Sequence, residues 1–323
     1  MFTPQNLVSD RPPFRSLLRI TLSIILGFVI VGPILGLAAS SALYEGDLLK
    51  DLENSAAGKP GFIEAILLMQ GIVTFVGLIF FPIIHITQLE HKRLRPFFPT
   101  QPQTLLILIV VAGIGLTFPI SLSPLAEWNM NLKFPEFMSG FENWALQEEE
   151  RLAKLTEVIT DFKSLGDMFI GVLVIALLPA VGEELVFRGM IQRELWRGTL
   201  NIHLAIWVSA AIFSAIHIQF YGFVPRLLLG ALFGYLYYWS GNLLIPMFSH
   251  FFNNAFAILM VYLNHVKITD INIENGEAAP FHYVIGALIV TLGLLYYIWR
   301  HYRESLLTPE DSNNSFNHQG PLV

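Results

Sequence analysis

The sequence predicts an all-α membrane protein: a polytopic bundle of about eight transmembrane helices, with one amphipathic helix outside the bilayer. Three observations predict it. Of the 323 residues, 54% are hydrophobic and only 14% are charged, where an ordinary soluble domain carries about 25% charged residues. Mean hydropathy is +0.57. Apolar runs of roughly 16–25 residues recur along the chain, near the length a helix needs to cross a bilayer. The net charge of -6 and the lack of a basic tract argue against nucleic acid as a partner. Cysteine is absent, which excludes thiol catalysis, thiolate metal sites and disulfides.

The first span is expected at about 20–43. Arg11, Arg15 and Arg19 precede it and small residues close it, as in a signal peptide. The run is longer than the ~7–15 apolar residues of such a leader, so an uncleaved helix is expected. An acidic loop follows, and then a second span at about 62–86. A basic loop, His91-Lys92-Arg93-Leu94-Arg95, ends it, and Pro96, Pro99 and Pro102 prevent the helix from continuing. The third span is expected at about 104–125.

The longest polar segment covers 126–166. Within it, Ser139-Gly140-Phe141-Glu142 reads as a capping box opening an amphipathic helix at about 139–163. Phe141, Trp144, Ala145, Leu152, Leu155, Ile159 and Phe162 form its apolar face. Glu148, Glu149, Glu150, Arg151 and Lys154 take the other face. Such a helix is expected to lie on the membrane or over the bundle.

A fourth span starts near Asp167 and ends in Gly182-Glu183-Glu184. It continues as a helix to Gly198, read as its C-terminal stop. Spans five to eight follow at about 202–219, 224–239, 243–263 and 281–299. Residues 307–323 form a polar tail expected to lack fixed structure. The basic segments fall on one side of this layout. The positive-inside rule therefore places both termini, including the segment 1–19, in the cytoplasm, as in a bacterial inner-membrane protein. The integral domain is expected over 20–306.

Two adjacent carboxylates at the end of an uncharged helix are costly, and ionisable groups at membrane depth usually serve function. Glu184 and Arg188 stand four residues apart and share a helix face. Glu183 is turned about 100° away and lacks an evident local partner. Phe213 with His217, and His250 with Asn254, repeat the same spacing. Measured from the turns at 198–201 and 241, and at 1.5 Å per residue, Glu183 lies at roughly 22 Å depth, His217 at roughly 24 Å and Asn254 at roughly 20 Å. The remaining histidines (His85, His91, His203, His265, His282, His301 and His318) form no spacing pattern and are read as structural or solvated.

Three chemistries suit this set. A desolvated carboxylate can act as a general base on water, with a histidine orienting the water and His or Asn donors holding an oxyanion. Glu183, His217 and His250 could instead hold zinc. Intramembrane carboxylates also serve proton or ion transport.

The motifs Glu183-Glu184-Leu185-Val186-Phe187-Arg188, Phe213-Ser214-Ala215-Ile216-His217 and His250-Phe251-Phe252-Asn253-Asn254 together resemble those of the CAAX protease and bacteriocin-processing family, also called CPBP or Abi. The resemblance implies a glutamate-type intramembrane endopeptidase with a catalytic core at about 167–264. Glu183 would activate water with His217, while His250 and Asn254 would form the oxyanion site. Glu184, Arg188 and Phe213 would support the geometry. Asn253 falls off the motif. No cofactor is required in that mechanism; zinc is the alternative. The partners implied are the bilayer and a membrane-associated or lipid-modified protein or peptide, which need not be prenylated. A non-catalytic transporter or immunity-type binding protein is the alternative of a different class.

Overall fold

The computed structural model describes residues 12–53, 59–98, 103–162, 164–270 and 276–304. Arg11, Pro99, Pro102 and the tail at 307–323 fall outside them. The elements are helices α1 (Pro13–Leu43), α2 (Leu48–Glu53), α3 (Phe62–Leu89), α4 (Leu105–Met130), α5 (Ser139–Thr160), α6 (Leu165–Thr199), α7 (Ile202–Ala215), α8 (Phe223–Ser240), α9 (Leu244–His265) and α10 (Phe281–Glu304).

Seven of these helices are long and apolar enough to cross a membrane, making this an integral membrane protein. The fifth expected span, at about 202–219, is an apolar helix but shorter than expected, and with it the bundle has about the eight helices anticipated. Helix α7 has 14 residues and a length of about 21 Å, short of the ~30 Å hydrocarbon core. It ends at Ala215, and Ile218 follows with φ of 57°. A β-branched residue rarely enters the left-handed region, so the chain turns sharply at some conformational cost. His217 thus sits in the turn between α7 and α8, not on a helix.

Prolines explain the shape of the long helices. Pro33, Pro82 and Pro179 each follow closely on a π-helical segment, Ile25–Val31, Phe75–Phe80 and Val172–Leu177 respectively. A proline ring lacks the amide donor and clashes with the carbonyl four residues back. A widened turn relieves both problems without ending the helix. Two further π segments have no proline close behind them: His85–Leu89 in α3 and Leu185–Ile191, which begins directly after Glu184.

Two helix-end expectations are also corrected. The side chain of Ser139 does not cap α5; Met138 is the flanking residue, and Glu142 Oε1 accepts instead from the Phe134 amide at 3.4 Å. The capping box lies at the next helix, where Ser164 Oγ accepts from the Asp167 amide and Asp167 Oδ2 from the Ser164 amide. Gly198 does not stop α6. The helix runs to Thr199 and ends on Leu200, at φ 55°. A Cβ on Gly198 would lie 3.3 Å from Pro13, so the glycine makes room for α1.

Helix α6 is central, packing against α1, α3, α7, α8 and α9. Its Leu185, Val186, Phe187, Met190 and Ile191 form one core with Leu78, Phe213, Tyr237 and Met247. A second core joins α4, α8, α9 and α10 around Val111, Phe233, Leu236, Ile245 and Ile298. Small residues bring helices close beside the motifs. A Cβ on Gly182 would approach Leu78 Cβ to 2.6 Å, and one on Gly115 would approach the Ser249 carbonyl to 2.4 Å. Such contacts are how helices associate where no water drives them together. Here they fix the residues next to Glu183 and His250.

Candidate active site

The two glutamates occupy the last two positions of the α-helical stretch Leu178–Glu184, between two π segments. Their surroundings differ. Glu184 is fully buried, as is Arg188. Glu184 Oε1 accepts from Arg188 Nη1 at 2.7 Å and lies 2.8 Å from His250 Nδ1. Arg188 Nη2 donates to the Gly230 carbonyl at 2.8 Å. Its guanidinium lies 4.8 Å from the Phe213 ring centre and 5.4 Å from that of Phe233. A buried charge persists only when paired and hydrogen-bonded, and these contacts supply both. One helical turn on, Gln192 Nε2 donates to the Gly234 carbonyl at 3.2 Å, so the same side of α6 is bonded to α8 twice.

The Glu184–His250 bond has a defined polarity. Glu184 Oε1 is already the acceptor of an ion pair, so the proton belongs to His250 Nδ1. His250 Nε2 then faces Glu183 Oε2 at 3.7 Å. In the neutral ring that nitrogen carries a lone pair; only the imidazolium can donate from it. The ring is held by stacking on Phe233 at 4.7 Å.

Glu183 keeps 15% of its side chain exposed, against none for Glu184. It is the carboxylate of the pair with surface left exposed. His217 places Nδ1 2.7 Å from the Phe213 carbonyl. A carbonyl can only accept, so Nδ1 bears the proton and Nε2 is left as the basic nitrogen. Phe213 packs on this ring at 5.0 Å as well as on Arg188, which connects the buried ion pair to His217. Asn253 Nδ2 donates to Asn254 Oδ1 at 2.9 Å. That bond occupies the Asn254 carbonyl and leaves its amide N–H groups as donors. Asn253, off the motif, therefore orients the residue that is on it.

Other residues at the site gave weaker signals in the sequence. Arg226 is the single charge between Phe220 and Ser240. It lies within electrostatic range of Glu183 and His217. Its Nη2 donates to Gln219 Oε1 at 2.8 Å, and its buried Nη1 has no hydrogen-bond partner. Gln219 Nε2 in turn donates to Glu149 Oε1 at 3.4 Å, tying α5 to the site. Glu149 is thus turned inward, four residues from buried Ala145, and not onto the solvated face with Glu148 and Glu150. Buried Asn129 bonds the Phe220 carbonyl and the Val224 amide, fixing the turn that carries His217. The intramembrane position of Arg226 was a usable signal; Asn129 and Gln219 had none.

Among the described residues, no group of three His, Asp or Glu side chains is arranged to hold a metal ion.

Comparison with known proteins bears on the same segment. Residues 166–256 match the family model described as Type II CAAX prenyl endopeptidase Rce1-like. Two curated proteins of Bacillus subtilis (strain 168) are similar. The "Uncharacterized protein YpbD" is 30% identical over 112 residues, covering 33% of this chain and 54% of that protein. The "Putative membrane peptidase YdiL" is 27% identical over 119 residues, covering 37% of this chain and 46% of that protein. The chain spans about half the length of these relatives. No solved structure matches. The segment that carries all three motifs is therefore Rce1-like in sequence.

Proposed function

We propose that this protein is an intramembrane endopeptidase acting on a membrane-associated or lipid-modified protein or peptide. The observation that carries this reading is the division between the two glutamates. Glu184 is bound up in the Arg188–His250 network, while Glu183 is partly exposed beside His250 Nε2, within the segment matching the endopeptidase family. The proposed catalytic core is 167–264. Glu183 takes a proton from water as the oxygen attacks the peptide carbonyl, and His217 Nε2 orients that water. The carbonyl oxygen becomes an oxyanion, held by the Asn254 amide and by His250 in its protonated form. Glu183 returns the proton to the departing amine, which completes hydrolysis. Donors placed where charge develops are worth about 10²–10³ in rate each. The excess of Lys and Arg on one side supports cytoplasmic termini in a bacterial inner membrane.

The test is peptide-bond cleavage by the purified protein in liposomes. Cells carrying Glu183→Ala should accumulate uncleaved substrate that wild-type cells process. Full turnover by Glu183→Ala protein would overturn the proposal. A phenotype indifferent to both Glu183 and His217 would favour a transporter or binding protein.

A further inference from the structure

A second polar centre lies outside this machinery. A cavity of about 270 Å³ opens between the start of α1, the end of α3 with its following loop, and the C-terminal part of α6. Along α6 its lining begins at Gly189 and ends at Arg197, roughly 9–21 Å beyond Glu183. Buried ionisable groups at a membrane boundary are expensive, and the proposed hydrolysis uses none of these.

Lys92, Arg93, Arg193 and Arg197 line the cavity against two carboxylates, Glu90 and Glu194. With His85 neutral, that is an excess of two positive charges. Glu194 is paired tightly with Arg197. Lys92 stands 3.8 Å from Glu90 and 4.0 Å from Glu194, too far for good hydrogen bonds. Burial pushes the Lys92 ammonium below its ordinary value, opposed by Glu194 and Glu90. Arg193 stacks over Phe97 at 4.3 Å. The lining also has an apolar part, formed by Ile20, Ile86, Phe97 and Met190.

The position says what kind of anion fits. Leu18 and Leu22, beside Ile20 on α1, are more than half exposed, while Arg15 and Arg19 are exposed on the same helix. The cavity therefore sits where the basic end of the bundle meets its lipid-facing belt. Basic pockets between membrane helices at this level suit phospholipid headgroups. The volume lies just below the ~300 Å³ lower end of small-molecule pockets, enough for a phosphate-bearing headgroup but not for acyl chains. We propose that this cavity binds a phosphate group, and that its occupant is the headgroup of an anionic phospholipid whose acyl chains lie along the apolar flank of α1.

Thermal melting of the full chain in neutral detergent, titrated with short-chain phosphatidylglycerol, tests this. The expected result is a saturable rise in melting temperature that short-chain phosphatidylcholine does not give. Lys92→Gln and Arg93→Gln should each weaken apparent affinity about 5-fold, the worth of one lost cation near an anionic headgroup. Arg93 is exposed, so its variant should fold even if the Lys92 variant does not. Arg151→Gln, on the exposed face of α5, should leave the affinity unchanged. Equal stabilisation by phosphatidylcholine, or unaltered affinity in Arg93→Gln, overturns the proposal. Inorganic phosphate binding as tightly as phosphatidylglycerol at matched ionic strength overturns the lipid assignment in favour of a soluble phosphate.

Discussion

His250 donates Nδ1–H to Glu184 at 2.8 Å, so the candidate oxyanion ring is oriented by the same carboxylate that pairs with Arg188. One oxygen serves two cationic or potentially cationic partners in a site without bulk water. The two adjacent glutamates should therefore respond differently to the same substitution. Glu184→Gln leaves Arg188 buried without its counter-charge. Breaking a buried pair in this way costs about 3–5 kcal/mol, and both melting temperature and activity should fall. Glu183→Gln removes a partly exposed like charge from beside Glu184. Activity should fall by about 10²–10⁴, the range for a lost general base, with melting temperature unchanged or higher. Thermal melting and cleavage measured on both variants check this; equal destabilisation would contradict the division of roles.

Asn254 and Asn253 form the next pair. If the Asn254 amide donates to the oxyanion, Asn254→Ala should lower kcat about 10²–10³ and leave KM nearly unchanged. Asn253→Ala removes only the bond that orients that amide, so the loss should be smaller and again confined to kcat. Steady-state kinetics of both variants decide. An Asn254→Ala enzyme with wild-type kcat removes the oxyanion role.

The helical spacing in the motifs was enough to find the buried ion pair, because Glu184 and Arg188 meet across one turn whatever surrounds them. It did not find the partner of Glu183, since His250 lies on another helix and contacts of that kind carry no local period. The depth estimate put His217 on a continuous helix, but no sequence rule placed Ile218 in a left-handed turn. The apparent capping box at Ser139 failed because the chain before it is already bent by the short helical turn Glu136–Met138. At Ser164, which is itself extended, the same chemistry succeeds. Glu149 was misread because a run of three glutamates hides which of them points inward.

Metal dependence separates two mechanisms that share residues. Among the described residues, Glu183, His217 and His250 are not gathered into a ligand set. Activity in proteoliposomes should therefore survive prolonged chelation. Loss of activity on chelation, restored by one equivalent of zinc, would favour the metalloprotease mechanism.

The link from α5 to the site gives a pH-dependent prediction. Burial raises the pKa of Glu149 above its ordinary 4.5, opposed by the Tyr221 backbone, Arg226 and Gln219. For an acid whose folded-state value is raised, the folded form binds the proton more tightly than the unfolded chain does. Its contribution to stability is full below pH 4.5 and is lost as pH rises through the folded-state value. Glu149→Gln keeps a side-chain carbonyl to accept from Gln219 and cannot ionise. Relative to wild type, the variant should gain stability as pH rises above 4.5, the gain levelling off beyond the folded-state value. Melting temperatures of the two proteins from pH 4 to pH 8 check this. A difference that stays flat across that range would mean that Glu149 is solvated and that α5 is not tied to Arg226 through Gln219.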